Sequence, residues 1–129
     1  MAEKERFELE FLLKTSPKVL DSMISTPSGL SEWFADDVNI KDEIYTFFWD
    51  GSEEDARLVS KKANSRIKFQ WVEDEDESFD VFFELRYEID PMTKMVVLTV
   101  TDHAEPDETE ESKRFWENQI GELKRTLGA

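Results

Sequence analysis

The chain has 129 residues, no cysteine, and a formal net charge of −15 from 31 acidic and 16 basic side chains. That length suits one domain over residues 1–129. The missing cysteines exclude disulfides, thiolate metal sites and cysteine nucleophiles, and the charge argues against nucleic acid and anionic membranes as partners.

The N-terminus, MAEKERFELE, lacks the apolar core of a secretory leader. No run approaches the roughly 18 apolar residues of a bilayer span. With the absence of cysteine, these features predict a cytoplasmic protein without membrane insertion. Ten Phe, four Trp and two Tyr nevertheless supply the buriable area of a folded domain.

The first predicted element is a half-buried strand, in which Phe7, Leu9, Phe11 and Leu13 alternate with Glu8, Glu10 and Leu12. Ser16-Pro17 then carries the cap and first-turn signals of a helix whose apolar face is Val19, Leu20, Met23 and Ile24. Thr26-Pro27 repeats the signal for a second, short helix. Leu30, Trp33 and Phe34 share one face of it, Gly29 weakens it, and Asp36-Asp37 ends it.

Strands follow. Val38 to Ile40 is short, and Glu43 to Trp49 is apolar on both faces. Asp50-Gly51 is a turn, Ala56 to Lys62 a weaker strand, and Asn64-Ser65 another turn. Arg66 to Val72 alternates Ile67, Phe69 and Trp71 against Arg66, Lys68 and Gln70. Glu73 to Glu77 is an acidic run. Phe79 to Ile89 is the longest alternation, with Phe79, Val81, Phe83, Leu85, Tyr87 and Ile89 on one face. Asp90 to Lys94 turns the chain into a last strand, Met95 to Thr101.

From residue 109 to 127 the period changes to that of a helix, with Trp116, Ile120, Leu123 and Leu127 on one stripe. Asp107, Glu108, Glu110 and Glu111 precede Lys124 and Arg125, a polarity that complements the helix dipole. Consecutive strands joined by short turns imply an antiparallel meander, and only the long C-terminal helix is large enough to cover one face of it. The expected class is α+β: a curved antiparallel sheet wrapped around that helix, with two short helices between strands one and two.

This pattern resembles the START-like helix-grip superfamily, which includes START domains, birch-pollen-allergen-like proteins and polyketide cyclases. It is most similar to the small bacterial branch related to the activator of the large heat-shock chaperone ATPase. The residues that carry the resemblance are Ser16-Pro17 with Val19, Thr26-Pro27-Ser28-Gly29-Leu30, Trp33-Phe34-Ala35, Phe47-Phe48-Trp49 with Gly51, Arg66 to Trp71, and Trp116. The resemblance implies a cavity between helix and sheet that holds an apolar ligand. It brings no shared catalytic motif.

The candidate pocket residues are Trp33, Phe34, Phe47, Trp49, Phe69, Trp71, Phe83, Tyr87, Trp116 and Ile120. The same rings satisfy two arrangements: an apolar pocket with a few polar anchors, or a close-packed core. His103, the sole histidine, needs an oriented partner to act as a base, and its neighbour Asp102 points to the opposite strand face. The acidic run Glu73 to Glu77 lacks the ligand spacing and glycine of a calcium loop, and reads as a solvated hairpin tip. Lys61, Lys62, Arg66 and Lys68 form the one local basic stretch, most simply a charge-balanced hairpin. With no glycine-rich phosphate loop, the chain predicts no cofactor, no metal and no catalytic residue.

The leading expectation is a non-enzymatic module for a small apolar or amphipathic molecule. The rivals are an acidic, co-chaperone-like protein-interaction module and a cyclase- or hydratase-type enzyme. For that enzyme Tyr87 is the inward polar side chain.

Overall fold

A computed structural model describes residues 4–72 and 81–128. The acidic run Glu73 to Glu77 and the first residues of the predicted Phe79 to Ile89 strand lie outside the described residues. The elements are β1 (Glu5–Leu13), α1 (Pro17–Ser25), α2 (Pro27–Trp33), β2 (Asp37–Lys41), β3 (Ile44–Trp49), β4 (Ser52–Lys62), β5 (Arg66–Trp71), β6 (Phe83–Ile89), β7 (Val96–Ala104) and α3 (Thr109–Leu127). A 3-10 turn, Pro106–Glu108, leads into α3.

Seven strands form one antiparallel sheet in the order β1-β7-β6-β5-β4-β3-β2. The first two strands in sequence are thus the two edges of the sheet, and α1 and α2 carry the chain from one edge to the other. Both helices begin as the sequence predicts. Ser16 Oγ accepts the Val19 N–H at 3.2 Å, and Thr26 Oγ1 accepts the Gly29 N–H at 3.0 Å, each satisfying a first-turn donor that has no partner within the helix. Helix α3 buries Trp116, Ile120 and Leu123 and ends at Gly128, which adopts φ 69°.

Helix α3 covers the inner face of the sheet. Leu13, Tyr45, Phe47, Ile67, Phe69, Phe83, Leu85, Val96, Leu98 and Val100 join the α3 stripe and Leu20, Ile24, Leu30, Trp33 and Phe34 in one core. This resolves the strand with two apolar faces: Tyr45 and Phe47 point inward, while Thr46 points outward and donates to Asp55 Oδ1 at 2.7 Å.

Several boundaries differ from the sequence reading. Glu43 is not a strand residue; Asp42 and Glu43 form the turn between β2 and β3, at φ 51° and 70°. Two successive left-handed residues match the twist of a tight hairpin, but this pair carries no Gly or Asn to announce it. Ile89 stands opposite Val96 at the end of β6, where it is half exposed rather than enclosed. β4 starts earlier than Ala56, and β7 continues past Thr101 to Ala104. The β4–β5 pairing also shifts register between Leu58 and Ser60, a bulge that leaves Val59 half exposed.

One end of the barrel-like sheet is closed by α1. The Tyr87 hydroxyl donates to Asp21 Oδ1 at 2.7 Å. The same oxygen accepts the Asn64 N–H at 3.2 Å, and the Tyr45 hydroxyl donates to the Ser25 carbonyl at 3.0 Å. Burial, reinforced by the Asp21 carboxylate, holds the Tyr87 phenol well above its ordinary value; burial also raises that of Tyr45. A raised phenol in the fold favours the native state until the unfolded phenol ionises, at about pH 10. Stability should therefore be lost as the pH rises beyond that point. Tyr87→Phe is expected to lower the unfolding free energy at neutral pH by about 1.5–3 kcal/mol, the usual range for a hydrogen bond to a charged group. It should also weaken the alkaline loss. Urea unfolding of both proteins at neutral pH and at about pH 11 checks both effects.

Candidate functional site

The opposite end of α3 is open. The inner positions of the strands do not stay apolar to their tips there. In β4, Glu54 stands opposite the inward Phe47, and in β7, Asp102 continues the inward series Val96, Leu98 and Val100 opposite Phe7. Asp102 is well held: Oδ2 accepts the Trp116 indole N–H at 2.7 Å, and Oδ1 accepts the His103 backbone N–H at 2.7 Å. The bond to Trp116 fixes the first turns of α3 over β7.

Between these strand tips and α3 lies a groove of about 340 Å³. Trp49, Trp71, Phe115 and Trp116 give its aromatic lining, and Glu54, Asp102 and Glu108 contribute carboxylates. Trp49 and Trp71 approach with ring centroids 6.4 Å apart, Trp71 lies 5.1 Å from Phe83, and Phe83 lies 5.8 Å from Trp116. Trp49 Nε1 donates to the Phe34 carbonyl at 2.9 Å, and Gln119 Nε2 donates to the same oxygen. Glu105, Asp107 and Glu108 bring carboxylate oxygens within 4.8 Å of one another at the α3 entry, where negative charge complements the helix dipole.

The groove does not continue through the protein's centre as an open chamber. Phe34 sits there, with its ring 5.0 Å from Phe47, 5.6 Å from Trp116 and 6.1 Å from Phe83. Phe47 and Phe69 pack edge to face at 6.1 Å, and Phe69 stacks on Phe83 at 5.1 Å. Of the ten residues selected from sequence, Trp49, Trp71 and Trp116 line the groove. Phe34, Phe47, Phe69, Phe83 and Ile120 form the packed interior beneath it. Trp33 is buried beside α1, its indole N–H donating to the Met23 carbonyl at 2.8 Å. Tyr87 is at the closed end, committed to Asp21.

Sequence reasoning missed Glu54, Asp102 and Phe115. The first two lie just beyond the apolar alternation that marked their strands. Phe115 lies beside the stripe of α3 and is 41% exposed. His103 Nδ1 lies 2.8 Å from the Phe82 carbonyl oxygen, and its ring meets the Phe82 ring at 4.8 Å. In the basic stretch, Lys68 Nζ lies 3.9 Å above the Phe82 ring, a cation–π contact.

A meander closed around one long helix, with two short helices bridging the sheet edges, defines a helix-grip α+β protein. A family model for the START-like superfamily domain matches residues 1–129, and the chain belongs to that superfamily. The solution structure of BfR322 from Bacteroides fragilis is 37% identical with a TM-score of 0.67, over 98% of this chain and 93% of that one. The Aha1 dimer from Colwellia psychrerythraea is 16% identical with a TM-score of 0.82, over 95% of this chain and 96% of that one. DynU16, from the dynemicin biosynthetic locus, is 15% identical with a TM-score of 0.77, over 98% of this chain and 48% of that one. The last two are likenesses of fold. No curated protein matches the sequence. Among the described residues no helix is long and apolar enough to cross a membrane.

Proposed function

We propose that the protein is a non-enzymatic binding module that holds a small amphipathic molecule in the groove between α3 and the open end of the sheet. The observation that carries this reading is the groove itself: about 340 Å³, faced by three indoles. Small-molecule sites span roughly 300–1,000 Å³ and combine aromatic walls with a few polar groups. The groove falls at the lower end of that range and has that mixture. Trp49 and Trp71 touch the ligand; Trp116, Phe34 and Phe83, each 2% exposed or less, form the floor that holds them. Turnover has less support, because the hydroxyl of Tyr87 is engaged with Asp21 at the far end. A cysteine-free sequence fits a cytoplasmic setting.

Native mass spectrometry of the protein purified without detergent tests this. The expected result is a population of molecules heavier than the apoprotein by one small organic compound, released by solvent extraction. That population should diminish in Trp71→Ala, which removes one wall of the groove. Protein that carries nothing, and that takes up none of the amphiphiles tested below, overturns the reading.

A further inference from the structure

Resting on the groove as a ligand site, we propose that its occupant is a cationic amphiphile: an alkylammonium-type head held against indole faces and carboxylates, with its apolar part along Phe115 and Val81.

The first argument concerns what the indoles have left to offer. An anionic head would need donors. Trp116 spends its N–H on Asp102 at 2.7 Å, and Trp49 spends its own on the Phe34 carbonyl at 2.9 Å. Trp116 is only 1% exposed, so the rings that can meet a ligand are the partly buried Trp49 and Trp71, and the face of an indole carries partial negative charge that attracts a cation and repels an anion. The second argument is the sign of the charge. Glu54, Asp102 and Glu108 contribute carboxylates against one lysine, Lys4, and one histidine, His103, whose Nδ1 is engaged with the Phe82 carbonyl. Two of these acids are built into the inner face, where the strand pattern elsewhere places Val, Leu and Phe. Solubility is served as well by outward acids such as Glu10 and Glu88, so it does not explain carboxylates on this face. The third argument is the whole-chain charge of −15, which raises the local concentration of cations and their rate of arrival.

Three probes with one chain length and different heads separate the possibilities: decyltrimethylammonium, decanoate and 1-decanol. Each is titrated below its micelle concentration, at physiological salt, into the full-length protein and followed by tryptophan fluorescence. The cation should bind about tenfold more tightly than decanoate, with the alcohol between them. The variant E54Q/E108Q should weaken the cation about threefold or more and leave the alcohol unchanged. A control, E10Q/E88Q, has the same net charge with both changes on the exposed outer face, and should bind the cation within about twofold of the original chain. Equal affinity for the three heads, tighter binding of decanoate, or equal weakening by the two double variants overturns the charge preference while leaving the groove a binding site. If none of the three probes binds, the groove reading itself fails.

Discussion

Phe34→Ala is expected to lower the unfolding free energy by about 3–5 kcal/mol, the range for truncating a buried aromatic ring. Phe34 is 2% exposed, and its ring packs against rings from three different elements: Phe47 of β3, Phe83 of β6 and Trp116 of α3. The neighbouring rings are themselves fixed by the backbone and by one another, so the space left behind cannot collapse cheaply. Chemical denaturation measures the loss. A change below about 1 kcal/mol would mean that the centre is loosely packed and that Phe34 does not plug it. The same substitution should extend the groove inward, so a variant that still folds is expected to bind an uncharged apolar probe such as 1-decanol more tightly than the original chain does.

The second large effect is one of sign. Replacing a helical glycine by alanine ordinarily stabilises a protein by about 0.5–1 kcal/mol, because alanine loses less backbone freedom on folding. At Gly29 the opposite is expected, a destabilisation of about 1–3 kcal/mol or more. A Cβ there would lie 2.1 Å from the Ser22 carbonyl oxygen and 2.7 Å from the Met23 Cα. Both are backbone atoms of α1 and cannot swing away. The two helices would have to separate, which pulls on the Trp33 bond to the Met23 carbonyl. Gly121 supplies the control. It lies in the exposed middle of α3, and an added Cβ meets nothing within 4 Å, so Gly121→Ala should stabilise. Thermal unfolding of both variants checks the pair. Two stabilised proteins would show that α1 and α2 do not approach as closely as described.

Gly29 also illustrates what was legible in the chain. Its position in a short helix could be read, and it looked like a weakness; its purpose, close approach to a second helix, exists only in three dimensions. The caps at Ser16 and Thr26, the helical stripe of Trp116, Ile120 and Leu123, and the inward alternation of β5 and β6 could be read because each is a local pattern with one physical cause. The groove was harder for a related reason. The apolar alternation bounds these strands at Ala56 and Thr101, whereas β4 and β7 run further and carry Glu54 and Asp102 on the same inward face. A carboxylate at an inner position breaks the pattern that identifies a strand, so the residues that give the open end its chemistry are those the pattern hides. Ala104, one more inward step along β7 and buried, was the available sign that the alternation had not ended. The aromatic residues were all visible, but composition could not sort the ones that pack together from the ones that stand at the entrance.

The carbonyl of Phe34 accepts from both Trp49 and Gln119, and so joins the end of α2, a strand and the middle of the long helix at a single atom. If the entrance widens to admit a guest, this junction divides α3 into unequal parts. The shorter part beyond Gln119 stays tied to the short helices, where Thr126 Oγ1 donates to the Glu32 carbonyl, and the turns bearing Phe115 and Trp116 are the ones that would lift. The movement would be that of a hinged flap with Gln119 at its pivot, with the bond from Trp116 to Asp102 as the catch that must open.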